Sequence, residues 1–403
     1  MKIAISGAGI AGPTLAYWLS RSGHDPVLIE TAPQLRTGGY LIDFWGVGYA
    51  IAERMGLADA IQRAGYGIEQ VRLVDGRGRK TGGFAVSPFR RVFDGRYISL
   101  PRGELARLIY EAVGDDVETV FGDRITVIEQ SDEGVEVVLE HGGHREFDLV
   151  IGADGIHSTV RSLVFGTDPT FQRQLGYWVA AFESDGYRPR DELVYLAHGR
   201  PGRVVARFAQ RNDKTLFLFI VSDDQLTAAE TADGTGVRRA LRQVFGDDGW
   251  ECPAILAALD RAEDLYFDRV SQIKIDRWSQ GRVALVGDAA SCVSLLAGEG
   301  TGLAMLQAYV LAGELDRSGG EHGQAFRRYE QLVRPLIEGK QESARAFAGV
   351  LAPRTSVGLW TRNRVSRLLN IPALAAWAIR REFRDDIELP DYAMQRKSGG
   401  LQP

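Results

Sequence analysis

The 403-residue chain predicts an α/β fold: a Rossmann-like dinucleotide-binding domain, an antiparallel β-sheet domain inserted into it, and a C-terminal helical segment. Three observations carry this. A strand–glycine–helix–strand unit opens the chain. Two further apolar strands, near 149 and 283, run into Gly/Asp turns. Between them, from 171 to 222, short strands alternate with turn signals such as "HGRPGR" and "QRNDKT", the texture of an antiparallel sheet.

Each part of the opening unit has a physical reason. Met1–Ser6 reads as an apolar strand, Ala11–Ser20 carries helical apolar spacing, and Pro26–Glu30 is a second apolar run. Gly7, Gly9 and Gly12 stand in Gly-x-Gly-x-x-Gly register between them. Gly7 permits the tight turn, Gly9 lets backbone N–H groups approach a pyrophosphate, and Gly12 lets the helix pack close to the strand. The helix N-terminus at Ala11 supplies positive partial charge. Glu30, 18 positions after Gly12, is placed to accept hydrogen bonds from an adenosine ribose. The unit predicts a bound dinucleotide and leaves NAD and FAD both open.

A helical segment is expected at 47–64, short β-like runs at 68–100 and a helix at 102–114. Strands return in "ITVIEQ" and "VEVVLEH", and "FDLVIGADG" at 147–155 is a buried strand entering a turn. Beyond the β-rich stretch, helices read at 236–246 and 252–262, a buried strand at 282–286 and a long helix from about 300 to 316. The remainder is helical and Arg-rich. This places the nucleotide-binding domain at 1–70, 101–165 and 278–345, and the β-sheet substrate domain at 71–100 and 166–277. C-terminal helices take 346–395 and a flexible tail 396–403.

Composition narrows the classes. A net charge of -5 and the lack of a Lys/Arg stripe with interleaved aromatics argue against nucleic acid. Two cysteines, Cys252 and Cys292, and six scattered histidines support neither a disulfide framework nor a metal site. The N-terminus enters a strand directly, leaving no room for a signal peptide. The apolar run "LFLFIV" at 216–221 is too short to span a bilayer. A cytoplasmic enzyme, a monomer or weak dimer, is the expectation.

Two further motifs address the nucleotide. In "DLVIGADGIHSTVR" a strand delivers Asp154-Gly155 into a turn, with Arg161 following; by residue chemistry alone this is also an ordinary Asp-Gly turn. In "GRVALVGDAASCVSLLAGEGTGLAMLQAYVLAGEL" a buried strand ends in Gly287-Asp288. Gly298, Gly300, Thr301 and Gly302 then open a long helix. An acid at a strand end suits a ribose or ribityl hydroxyl. Backbone N–H groups at a glycine-rich helix start suit the partial negative charge of a reduced flavin edge.

The trio GAGIAG, ADGIHSTVR and VALVGDAA resembles the class A flavin monooxygenases, the group with the p-hydroxybenzoate hydroxylase fold, over nearly the whole chain. That resemblance implies non-covalent FAD, with NADPH or NADH as a transient co-substrate and O2 as oxidant. It places Glu30 on the adenosine ribose, Asp288 on the pyrophosphate or ribityl region, and Asp154 where the pyridine nucleotide passes. Arg36 and Arg102 match positions that contact FAD in the family. The strings "TGGYLIDFWG", "FDRVSQIKIDRWSQGRVALVGDAA" and "QAYVLAGEL" further resemble the tetracycline-inactivating branch and its bacterial relatives. In such enzymes reduced flavin adds O2 at C4a, and the hydroperoxide oxygenates an electron-rich carbon. An aromatic or polyketide-like small molecule is the expected substrate. Candidate pocket residues are Tyr40, Phe44, Trp45, Trp178, Phe208 and Phe219. Strand alternation puts Phe217 and Phe219 on one face, opposite Leu216, Leu218 and Ile220, and leaves open which face is the pocket.

The departures bear on activity. The family commonly has His after GDAA and prolines soon after; here stand Ser291, Cys292, Val293, Ser294 and Leu295. Glu299 replaces the usual Gln, and its carboxylate opposes flavin reduction unless it is paired or turned away. The narrower branch tends to carry Arg where Trp45 sits. No Ser/His/Asp or Cys/His nucleophile set is present, and the lone His157 and His198 are expected to serve local packing. Alternatives are a non-oxygenating flavoprotein reductase or internal redox enzyme, and a flavin- or drug-binding protein with decayed oxygenase activity. A two-dinucleotide enzyme would need a second Gly-x-Gly-x-x-Gly or a C-x-x-C, and neither occurs. The segment 362–386 reads as an amphipathic helix closing onto the body, with a membrane-surface reading permitted by its arginines.

Overall fold

The computed structural model describes residues 1–36, 39–226, 233–382, 385 and 387–392, without the side chains of 346–348 and 382. The tail expected at 396–403, and residues 393–395 of the C-terminal segment, lie outside the described residues. A six-stranded sheet forms the nucleotide-binding half. Its order is Ser279–Gln280, Val283–Leu285, Leu149–Gly152, Lys2–Ser6, Asp25–Glu30 and Glu118–Phe121. Every pairing but the first is parallel. Consecutive residues of Ile3–Ile5, Val27–Ile29 and Leu149–Ile151 are buried, which requires cover on both faces and explains why these strands are continuously apolar rather than alternating.

Helix Gly300–Arg317 is buried from Leu303 to Leu315 and packs against helices Ala11–Arg21 and His322–Leu351. Such an all-round apolar helix belongs inside a core. The single helix expected at 47–64 is two, Gly46–Arg54 and Ala58–Ala64. Gly56 between them takes φ +76°, a left-handed stop that favours glycine.

The inserted half is a seven-stranded sheet. Its order is Tyr266–Ile273, Gln172–Asp185, Lys214–Ser222, Arg203–Ala209, Val194–Arg200, Gln70–Val74 and Lys80–Ala85. It departs from pure antiparallel pairing once. Val194–Arg200 runs parallel to Gln70–Val74, because residues 70–85 join as a separate hairpin from an earlier excursion of the chain. Residues 97–100, read as part of the inserted domain, instead belong to a strand, Tyr97–Pro101, that pairs with Leu41–Trp45. Ile98 and Leu100 lie in the nucleotide-side core.

Helix Ser356–Leu368 covers the edge strand Lys80–Ala85. The Ser366 hydroxyl accepts the Gly83 N–H at 2.9 Å, and the Asn370 side-chain oxygen accepts the Ala85 N–H at 3.1 Å. Unpaired edge groups that would template association are thereby satisfied.

Candidate functional site

The opening glycines form a cradle shaped for a phosphate backbone. Gly7 has φ +106°, and a Cβ there would meet the Ala153 carbonyl at 2.6 Å. A Cβ on Gly12 would sit 1.9 Å from the Gly7 oxygen, so the helix reaches the strand only because Gly12 has no side chain. A Cβ on Gly9 would find only Arg102 Nη2 within 4 Å, at 3.6 Å. Helix Ala11–Arg21 has no side-chain cap and no acid in its first turn, which leaves its leading N–H groups for an anion. Those features fit a dinucleotide.

Glu30 ends the second strand beside this cradle. Its two carboxylate oxygens accept the Ala8 N–H at 2.8 Å and the Ala32 N–H at 2.9 Å, and Arg36 lies 3.6 Å away. Arg102 starts helix Arg102–Val113, and its backbone N–H donates to the Tyr40 carbonyl at 3.1 Å. Its guanidinium reaches over Gly9 and acts on Asp288. Burial raises the Asp288 carboxyl above the usual range, while Arg102 and a hydrogen bond with Cys292 pull it back. Asp288 Oδ1 stands 3.7 Å from where a Gly300 Cβ would be, and Thr301 and Gly302 follow in the first turn of the long helix. The first and third motifs therefore meet, joined by Arg102.

Asp154 lies beside the first cradle, its Cα 3.0 Å from where a Gly7 Cβ would be. Its carboxylate accepts hydrogen bonds from the Ser158 hydroxyl, the Thr159 N–H at 2.7 Å and the Val160 N–H at 3.1 Å. It is engaged in capping helix Thr159–Phe165. Arg161 ties that turn to the third motif by donating to the Ala289 carbonyl at 3.0 Å.

The loop lacking the His-Pro pattern is held from behind by residues that sequence reasoning missed. The buried Gln307 side-chain oxygen accepts the Gly287 N–H at 3.0 Å, and Gln341 donates to the Cys292 and Ile273 carbonyls at 3.0 and 2.8 Å. Glu299 is paired as well. Lys340 Nζ lies 2.7 Å from it and 3.2 Å from Asp385, whose other oxygen accepts the Val47 N–H at 2.7 Å. All three charged side chains are largely buried, and Lys340 lies 41 residues from Glu299, beyond any local motif.

The predicted pocket residues separate. Leu218 and Ile220 face Leu295 and Leu296 beside the glycine-rich turn. Phe219 and Trp178 are on the opposite face, in a core with helices Gly234–Phe245 and Cys252–Arg261. They are corrected to core residues. Both faces of this sheet are apolar, so alternation could not choose between them. Phe44 is 1% exposed and packs beside Tyr49 in the nucleotide-side core, although it borders a small cavity. Trp45 and Phe208 lie in a packed aromatic cluster with Tyr66, Phe89, Tyr97 and Tyr195, where Phe208, 1% exposed, is a core residue like Phe219. Trp45 reaches to 3.7 Å from where a Gly298 Cβ would be. Tyr40 stands apart, against Tyr266 at 5.6 Å near Asp288, with its hydroxyl pushed up to about 12 by burial.

One polar group beside this cluster had no sequence signal. Asp43 accepts from the Ser99 hydroxyl and approaches the Tyr195 hydroxyl at 3.5 Å; burial raises its carboxyl despite these bonds. It borders the same small cavity as Trp45, Gly298, Glu299 and Gly302. The two histidines are elsewhere. His157 is on the surface, 3.1 Å from Asp268, and His198 is buried with Nδ1 3.2 Å from the Val74 carbonyl. Neither touches the cavity.

Comparison with known proteins agrees with this geometry. The sequence pattern described as FAD binding domain matches residues 1–327. A flavin-dependent monooxygenase of an unidentified prokaryote is 35% identical over 342 residues, covering 85% of this chain and 87% of its own. The crystal structure of the tetracycline destructase Tet(51) is similar with a TM-score of 0.81 at 32% identity, covering 97% of this chain and 99% of its own. Klebsiella pneumoniae HpxO complexed with FAD and uric acid has a TM-score of 0.78 at 25% identity, covering 94% and 96%.

Proposed function

This chain belongs to the FAD binding domain family of flavin-dependent monooxygenases, and from that premise we propose an aromatic or polyketide-like substrate. Tetracycline-type compounds are the first to test. The observation that carries the reading is the small cavity between Trp45 and the Gly298–Gly302 turn, with Asp43 as its buried acceptor. Trp45 supplies flat apolar surface for a planar ring, backed by the aromatic cluster of Phe208 and Tyr97. Asp43, with Tyr195 and Ser99 beside it, accepts a phenolic or enolic hydroxyl and fixes the ring's orientation.

When bound, the flavin supplies two-electron reduction by NAD(P)H and activation of O2. The chain's own residues bind and orient it. Gly7–Gly12 and the first helix hold the pyrophosphate, Glu30 holds the ribose, and Arg102 and Asp288 hold the central region. Leading amides of helix Gly300–Arg317 would face the ring edge, and Lys340 pairs with the Glu299 carboxylate next to them while also bridging Asp385. That pairing offsets the charge of Glu299 and favours oxygenation over a non-oxygenating reading. Pyridine nucleotide is served transiently, because the chain has a single Gly-x-Gly-x-x-Gly.

The test is NAD(P)H oxidation and O2 uptake across a panel of tetracyclines, other polyketides and phenols. One class should stimulate NAD(P)H oxidation and yield a product carrying an atom from isotopically labelled O2. Oxidation that is never stimulated, or a product without the label, refutes oxygenation of this substrate class.

A further inference from the structure

Helix Ser356–Leu368 turns its polar side inward, while helix Pro372–Glu382 buries Ala375 and Ile379. On helix Ser356–Leu368, Asn363 and Ser366 face the sheet and bond to strand Lys80–Ala85, Asn363 donating to the Thr81 hydroxyl at 3.0 Å. The opposite face, at helical spacing, carries Val357, Trp360, Val365 and Leu368 toward water. Val357 is 74% exposed and Trp360 61%. Helix Pro372–Glu382 extends the patch with Leu374 and Trp377. Eight of the eleven exposed large apolar side chains among the described residues lie between 350 and 377, so the patch is concentrated rather than scattered.

Charge selects the occupant. Across helices Ser356–Leu368 and Pro372–Glu382 the sequence has five arginines and one acidic residue, Glu382. Arg362 and Arg367 bond back to the Leu351 and Thr81 carbonyls, which leaves Arg364, Arg380 and Arg381 for the outer face. Arg364 lies over the Trp360 ring at 5.3 Å and Arg381 over the Trp377 ring at 5.5 Å. Paired Trp and Arg of this kind place the ring at an apolar boundary and the guanidinium at an anionic head group. A second copy of the chain would set the same arginines against each other. We infer that these two helices are a peripheral docking surface for an anionic lipid bilayer. They lie along the surface, since no helix among the described residues is long and apolar enough to cross a membrane. Helix Pro372–Glu382 also packs on helix Ser87–Val92, whose Phe89 belongs to the aromatic cluster behind Trp45, so the docked face adjoins the proposed substrate side.

The FAD-loaded full chain is floated with vesicles of phosphatidylglycerol and phosphatidylcholine, and with phosphatidylcholine alone. Binding is expected to the anionic vesicles only, and to fall with added salt. Trp360→Ser with Trp377→Ser should abolish it. Arg364→Gln with Arg381→Gln should weaken it about thirtyfold, taking about 1 kcal/mol per charge. Flavin content and melting temperature confirm that each variant is folded. Four results overturn the inference: no binding to either vesicle, equal binding to both, binding unchanged in the two folded variants, or binding that requires removal of residues 393–403. A dimer lost in the Trp variant, without vesicle binding, would identify a second copy as the occupant and overturn it too.

Discussion

Replacing Lys340 by Met isolates the charge that makes Glu299 acceptable at the glycine-rich turn. The Lys340 side chain is 7% exposed, and it alone bridges Glu299 at 2.7 Å and Asp385 at 3.2 Å in the described structure. Burial by itself would lower the lysine pKa, but the two carboxylates outweigh it and hold it above the ordinary value of 10.5. A raised folded pKa means the pairing's stability is fully present below about pH 10.5 and is lost as pH rises through the higher value. Removing one partner of a buried pair costs about 3–5 kcal/mol, and the partial exposure of both carboxylates puts Lys340→Met near the lower end, about 3 kcal/mol. At about 2.1 cal/mol/K of unfolding entropy per residue, that is a fall in melting temperature of about 4 °C for one cooperative unit of 403 residues. Glu299 without its lysine should also slow flavin reduction, read by stopped-flow absorbance under anaerobic NADPH. Glu299→Gln in the Lys340→Met background should restore part of the melting temperature and most of the reduction rate, since it removes the carboxylate beside the turn while Asp385 stays without its lysine. Unchanged melting and reduction in Lys340→Met, or no rescue by Glu299→Gln, would refute the pairing's role.

Glu30→Ala removes the carboxylate assigned to the ribose and should weaken FAD binding about ten- to a hundredfold in a fluorescence titration, from about 1.5–3 kcal/mol for a hydrogen bond to a charged group. Asp154→Ala removes the acceptor of the Thr159 and Val160 N–H groups at the start of helix Thr159–Phe165 and should cost about 1–2 kcal/mol of stability while weakening FAD binding less than Glu30→Ala does. Equal loss of FAD affinity in both variants would contradict the separation of their roles. By NMR of the imidazole protons, His157 should titrate above 6.5, raised by its hydrogen bond to Asp268, and His198 below it, lowered by burial. What the His157 pair adds to stability is thus present below pH 6.5 and lost as pH rises through its higher folded value, and the reverse order of the two histidines would be inconsistent with their placement.

The parts of the fold readable from sequence were those dictated by local backbone chemistry. Gly7, Gly9 and Gly12 declare a close approach because no other residue fits, and their spacing to Glu30 follows from one helix and one strand. Continuous apolar runs declared the parallel strands. What stayed hidden depended on distant packing. Phe219 and Leu218 are equally apolar neighbours on one strand, and only the helices at 234–245 and 252–261 decide which is core. Asp43 is a single acid in an apolar strand until Ser99 and Tyr195 arrive from two other strands. The hydrogen bonds of the Asp154 carboxylate were equally hidden, since an Asp-Gly turn does not show that its donors lie four to six residues on.

The departures from the family pattern are compensated, and that bears on whether the site is intact. A carboxylate taken into a protein interior is stable there only with a partner of good geometry, since desolvation otherwise outweighs the attraction. Glu299 has such a partner in Lys340, and Lys340 is itself shared with Asp385, which also fixes the Val47 N–H. The Cys292 loop, without its usual His and Pro, has its carbonyl held by Gln341 and its entry amide at Gly287 held by Gln307. Gln341 follows Lys340 directly in helix His322–Leu351, so one helix serves both compensations. Each unsatisfied buried group costs stability, so the turn is held by partners wherever its family residues are missing. Here the compensating residues are matched across 20 to 49 positions of sequence.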